Sequence, residues 1–157
     1  MSDEEQEGPQ PEPEPHIFTL SEAERTRREV QPILLEAVQC RRKLSAVEKD
    51  LSAMSARIMM MGGLIVPYEK LAKLRLDQEN LAETIRRALE RIHATGCLVK
   101  DLDIGLLDFP AVIDNEDVYL CWKLGEDCIR FYHRQDEGFA GRKPLSPRPQ
   151  EPGEDIQ

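Results

Sequence analysis

Residues 19–61 read TLSEAERTRREVQPILLEAVQCRRKLSAVEKDLSAMSARIMMM. Taken every seventh residue, one column is Ala23, Val30, Ala37, Leu44, Leu51 and Ile58; the column three residues later is Thr26, Ile33, Cys40, Val47, Met54 and Met61. Eleven of these twelve positions are apolar, so the segment predicts one long helix with a continuous heptad seam. Thr19 is placed to cap the helix and Glu22 to close a capping box, with Phe18 as a weak staple on Ala23; Ser21 with Glu24 is the alternative box. Pro32 lacks a backbone donor and crowds the preceding turn, which predicts a kink or restart there.

Gly62 and Gly63 end this segment, and Pro67 suits the first turn of a second helix over residues 67–94. The second seam is Leu71, Leu74, Gln78, Leu81, Ile85, Ala88 and Ile92, and Gly96 is its stop. Two heptad helices joined by about five residues predict an antiparallel coiled-coil hairpin. The first helix is the longer, so part of its stripe needs cover from the C-terminal part or from another chain. On that ground the expected partner is the chain itself, as a homodimer or higher oligomer, with an unidentified protein partner as a further candidate. Met54, Met59, Met60 and Met61 form a soft apolar end, to be weighed as a binding surface against ordinary packing at the tip.

After residue 96 the pattern changes. Six of the eight aromatic residues lie between Phe109 and Phe139, and the apolar period falls toward two. Strands are predicted over residues 97–102, 118–124 and 128–133, with a strand or tight loop over 105–110 and a turn at Asp114-Asn115. A two-residue hairpin turn at Gly125-Glu126 pairs Trp122 with Ile129, Leu120 with Phe131, and Val118 with His133 on one buried face. The fold class is therefore α+β: a long two-helix antiparallel hairpin followed by a small antiparallel β-meander. The expected organisation is an acidic, Pro-rich disordered tail (1–15), the hairpin (16–95), the sheet region with a Gly-rich loop (96–145) and a second Pro-rich disordered tail (146–157).

The net charge of −9 lies mainly in those tails: residues 1–15 hold six acids and no Lys or Arg, residues 146–157 net −2, and the body is left at −1. Seven of the eleven prolines are there too, a composition that cannot offset chain entropy. A nearly neutral body with acidic tails argues against nucleic acid, and the basic run Arg41-Arg42-Lys43 reads as a solvated helix face. No apolar run reaches the roughly 18 residues of a membrane span, and the acidic N-terminus is not a secretory signal. Cys40, Cys97, Cys121 and Cys128 form no CxxC pair, so free thiols in a cytoplasmic setting are expected.

The residues identify no reaction. No nucleophile elbow, P-loop, dinucleotide fingerprint or HExxH occurs, His16, His93 and His133 match no standard metal spacing, and no cofactor is indicated. The candidate ligand surface is Asp108, Trp122, Tyr132, His133, Glu137 and Arg142. His133 or Glu137 has the chemistry of a general base, Arg142 that of an anion holder, and Trp122 that of a wall or core residue. Asp108, His133 and Glu137 offer a weaker metal set. The competing readings are structural. His133 sits at a sheet boundary with a nitrogen on a backbone carbonyl. Phe139 plugs the core, and Arg142 pairs with an acid such as Asp108.

The stretch from Lys100 to Ala111 (KDLDIGLLDFPA), then Val118 to Glu126 (VYLCWKLGE), Tyr132-His133, Gly138 to Arg142 (GFAGR) and Pro144-Leu145 resembles a bacterial family of uncharacterised proteins, domain of unknown function family 2203. Phe18-Thr19-Leu20 looks like that family's helix start, and the resemblance spans residues 16–145. It implies a helical hairpin followed by a β-meander and carries no activity or catalytic residue with it. The functional expectation is a non-enzymatic oligomeric interaction or scaffold module. The alternative is a small enzyme or an anion- or metal-binding module using the His133, Glu137 and Arg142 surface.

Overall fold

The computed structural model describes residues 15–145 with the exception of Leu64. The expected tails at 1–14 and 146–157 lie outside the described residues. Two helices, α1 (Leu20–Met60) and α2 (Tyr68–His93), pack against each other and lead into five strands: β1 (Leu98–Asp101), β2 (Leu106–Ile113), β3 (Glu116–Lys123), β4 (Phe131–Arg134) and β5 (Lys143–Pro144). The strands form one antiparallel sheet in chain order, as expected of a β-meander.

The start of α1 follows its sequence signal. The Glu22 backbone N–H donates to the Thr19 hydroxyl at 3.2 Å, which satisfies one of the otherwise open first-turn donors. The helix runs through Pro32 as one element, so no restart occurs there. Gly62 and Gly63 adopt positive φ (68° and 75°) where α1 ends.

The core lies at the base of the hairpin. Val30, Leu34 and Val38 of α1 and Ile92 at the end of α2 pack on Leu107 and Phe109 of β2, and on Val118, Leu120 and Trp122 of β3. Phe18 extends this contact. Its backbone N–H donates to the Pro110 carbonyl at 2.7 Å and its ring meets Phe109 edge-on at 5.3 Å. The surplus stripe of α1 is thus covered by the chain's own sheet. Beyond Leu44, Met54 is the one buried residue of α1, because two helices alone leave half of every seam position open.

The β2–β3 hairpin turns at Asp114-Asn115, with φ of 50° and 62°, the left-handed pair that matches the twist of the strands. The β3–β4 register differs from the expected one. Val118 faces Arg134, Tyr119 faces His133, and Leu120 faces Tyr132, one residue away from the predicted pairing. The two-residue turn is replaced by residues 124–130, a loop with its own anchors. Trp122 Nε1 donates to the Glu126 carbonyl at 3.0 Å, Glu126 Oε1 accepts from the Lys123 N–H, and the Ile129 N–H donates to Glu24 on α1. A one-residue slip exchanges the faces of a strand. Tyr132 therefore packs toward the core, and His133 lies on the opposite face.

Gly105 is required by both backbone and space: its φ is 68°, and a Cβ would lie 2.6 Å from Leu124 Cβ. Leu34 is fully buried, whereas Leu76 is 56% exposed. Leu34→Ala is expected to lower unfolding free energy by about 2–5 kcal/mol. Leu76→Ala should stay within about 0.5 kcal/mol, both read by urea denaturation.

Candidate functional site

Strand β2 is buried on both faces. Leu107, Phe109 and Ala111 enter the core under the helices, so Asp108 points to the outer face of the sheet. There the register places it directly across from Cys121 on β3, whose other neighbour is Phe131 on β4; His133 shares this face one step along. Asp108, Cys121 and His133 are 1%, 0% and 3% exposed, which makes this a buried polar cluster rather than an open cleft.

His133 is held at both nitrogens. Its Nδ1 is 2.8 Å from the Arg134 carbonyl, and its Nε2 is 3.0 Å from Asp108 Oδ2. A carbonyl oxygen only accepts, so Nδ1 carries the proton and donates. The contact between Nε2 and Oδ2 then needs one further proton, shared between imidazole and carboxyl. Burial raises the Asp108 carboxyl above the ordinary carboxylate range, and the hydrogen bond from His133 opposes that rise. Burial, followed by the Asp108 charge, pushes the Cys121 thiol up to about 12. With its thiol protonated and His133 engaged elsewhere, Cys121 is not an activated nucleophile.

Residues 137–142 fold back across the same face. Arg142 Nη2 donates to Glu126 Oε1 at 2.6 Å and to the Cys121 carbonyl at 3.4 Å. The guanidinium lies over Phe131 at 4.2 Å and over Phe139 at 4.7 Å. Glu137 reaches Lys143 at 3.7 Å. Among the described residues, three buried side-chain polar atoms lack a hydrogen-bond partner: Asp108 Oδ1, Glu137 Oε2 and Arg142 Nε.

Three of the six predicted surface residues therefore share the outer face: Asp108, His133 and Arg142; Glu137 lies on the returning loop against Lys143. The other two lie elsewhere. Trp122 is fully buried in the core, where Arg27 lies 5.5 Å from its ring, and Tyr132 packs on that same core. The expected boundary role of His133, one nitrogen on a backbone carbonyl, is present. The expected acid for Arg142 is corrected from Asp108 to Glu126, because Asp108 is taken by His133. Phe139 is 42% exposed and stacks under Arg142 instead of plugging the core. Sequence reading missed Cys121 and Glu126. Cys121 was visible as the alternate-face neighbour of Tyr119 and Lys123, but the predicted register set His133 on the other side.

A cleft of about 730 Å³ opens nearby, lined by His16, His93, Leu98, Pro110, Tyr119 and Gln135 among others. Asp108, Cys121 and His133 are not among its lining residues. No described helix is long and apolar enough to cross a membrane.

The architecture is thus a helical hairpin on a five-stranded meander, with a closed polar cluster beneath a C-terminal loop. The family model described as "Uncharacterized conserved protein (DUF2203)" matches residues 16–145, and the chain belongs to that family. No curated protein and no solved structure matches the chain.

The raised Asp108 carboxyl has a defined effect on stability. Where its folded value exceeds the unfolded one of roughly 3.9, the native state binds more protons. Its contribution to stability is therefore full in acid and is lost as pH rises through the folded value. Asp108→Asn removes this term while keeping size and a donor toward Nε2. In metal-free buffer, thermal melts from pH 4 to 8 should show wild type most favoured over the variant in acid, with the gap narrowing as pH rises.

Proposed function

We propose that the protein is a non-enzymatic interaction module that self-associates through the far end of its helical hairpin. The observation that carries this reading is the apolar surface at that end. Met59, Met60, Ile65 and Tyr68 are 81%, 87%, 69% and 75% exposed, although the core at the hairpin base is closed. Isolated exposed apolar residues are ordinary, but a contiguous group at one end of an element is a contact surface in the making. Met side chains adapt to such a contact at little packing cost.

A second copy of this chain is the partner that fits. Residues 45–80 hold five basic side chains (Lys49, Arg57, Lys70, Lys73, Arg75) and five acidic ones (Glu48, Asp50, Glu69, Asp77, Glu79). An electrically balanced end meets its own copy without like-charge repulsion, and a two-fold contact sets each residue against the same surface. A cleft of about 250 Å³ lined by Met54, Ile58, Met61, Ile65 and Pro67, with Arg57 and Lys70 beside them, gives an apolar side chain of the partner a seat. In this reading the heptad seam continues as a coiled-coil contact between copies. The four free cysteines agree with a reducing, cytoplasmic setting.

The closed state of the polar cluster supports this reading over the enzyme alternative. His133 has both nitrogens engaged, and Arg142 is already paired. Sedimentation equilibrium of the full chain is expected to give a dimer at micromolar concentration. The double variant Met60→Glu, Tyr68→Glu should give a monomer with a monomer-core melting temperature close to wild type, since both residues are exposed. A wild-type chain that stays monomeric up to about 100 µM, where a contact free energy is weaker than roughly −5.5 kcal/mol, overturns the proposal.

A further inference from the structure

Asp108, Cys121 and His133 come from three adjacent strands, β2, β3 and β4. One carboxylate oxygen, the thiol sulfur and one imidazole nitrogen all lie within 4.8 Å of one another. Bond lengths of roughly 2.0–2.3 Å to a tetrahedral ion set its ligand atoms about 3.3–3.7 Å apart. The pair Nε2 and Oδ2, at 3.0 Å, is already near that spacing, so only small side-chain adjustments separate the present geometry from a coordination sphere.

We propose that these three side chains bind one Zn²⁺ ion, through Asp108 carboxylate, Cys121 Sγ and His133 Nε2. Three independent features of the cluster support it. Nδ1–H of His133 donates to the Arg134 carbonyl, which fixes the tautomer, so that displacing the proton shared with Asp108 leaves the Nε2 lone pair directed at a metal. Backbone or carboxylate acceptors in that position are the usual outer partners of metal-bound histidine. Asp108 Oδ1 is buried with no partner, an arrangement that is costly for a carboxyl unless something positive lies against it. The donor set of one sulfur, one nitrogen and one oxygen suits a borderline cation such as Zn²⁺ rather than Mg²⁺ or Ca²⁺.

Charge agrees with geometry. A carboxylate and a thiolate balance a dication, and the ion replaces the shared proton as the group that neutralises Asp108. Two cations, Lys100 and Arg142, lie close enough to act on Asp108 and Cys121, but each is also held by another group. Arg142 is held by Glu126, and Lys100 lies over the Tyr119 ring at 4.8 Å. The surrounding sheet is closed, so the ion enters as the chain folds. Three protein ligands leave a fourth position for a water molecule.

The test uses the full chain, both as purified and after unfolding with a chelator and refolding with one equivalent of Zn²⁺ or Co²⁺. Elemental analysis is expected to find one Zn²⁺ per chain. The Co²⁺ form should show a near-ultraviolet thiolate-to-metal charge-transfer band. Cys121→Ser should abolish that band and weaken Zn²⁺ binding at least about 100-fold, beyond the 10–100-fold typical of losing an outer partner. Cys128→Ser, at a half-buried position, should change neither. Should Cys121→Ser fail to fold, Asp108→Asn must show the weakened binding instead. A refolded wild-type chain that takes up neither ion overturns the proposal. So does binding that survives both Cys121→Ser and Asp108→Asn.

Discussion

The structure depends on strand β2 having no face turned to water from Leu106 to Ala111. Its core side is closed by α1, α2 and Phe18, and its outer side by Cys121, the β4 strand and the returning loop at residues 137–142. A strand buried on both sides normally reads as continuous apolar sequence. This one carries Asp108 in the middle, so a carboxyl sits where a leucine would be expected. Its burial dictates what stands around it. A hydrogen-bonding partner has to come from a neighbouring strand, and the register of β4 determines that the partner is His133. The slip that displaces the predicted pairing is the slip that brings imidazole to carboxyl.

Much of the helical half was legible because its signals are local. The heptad columns, Thr19, the Gly62-Gly63 break and Gly96 each act within one or two turns of their own position. The sheet order was legible for the same reason, through Asp114-Asn115 and the alternation along residues 118–124. The β3–β4 connection was not. Gly125-Glu126 has the composition of a tight turn, yet Glu126 is used twice over by distant and local groups: its carbonyl by Trp122 and its carboxylate by Lys123 N–H and Arg142. Glu24 holds the Ile129 N–H across 105 residues of sequence. These are tertiary contacts, and a reading by nearest neighbours has no means of placing them. The consequences were specific. Tyr132 was assigned to the outer face and belongs to the core, where Trp122 lies as its buried-face position required, whereas Cys121 was left out and belongs beside Asp108.

Two partly buried ion pairs lie on opposite sides of the sheet and constrain the same loop. On the helix side, Arg27 pairs with Glu24 at 2.7 Å and lies against Trp122, so α1 grips the loop at Ile129 through Glu24. On the outer side, Arg142 holds Glu126 from the other end of that loop. Apolar packing alone would tolerate either register of β4, since Phe131 and Tyr132 are both large and both partly buried. Buried ion pairs contribute little net stability compared with apolar replacements of equal volume, because desolvation offsets their attraction. They are strict about geometry, however. Here the polar contacts select one register, and the apolar core supplies the stability of whichever register is selected.

The same division separates the two ends of the molecule. At the base, helices and sheet close a core in which Leu34, Ile92, Phe109 and Trp122 are fully buried. Toward the tip, two helices without a third layer leave Leu51, Ile58, Leu71 and Leu74 half-covered at best. A hairpin of this length gains little from its outer turns in isolation, because pairwise helix packing buries only one side of each seam. The apolar sequence at the tip is nevertheless kept up to Met61 and resumes at Leu64. Solubility alone would favour polar residues at those positions. The proposed self-association would give this half-covered seam on the arm a partner, and the neutral charge balance of residues 45–80 is the property that allows such a contact to be with itself.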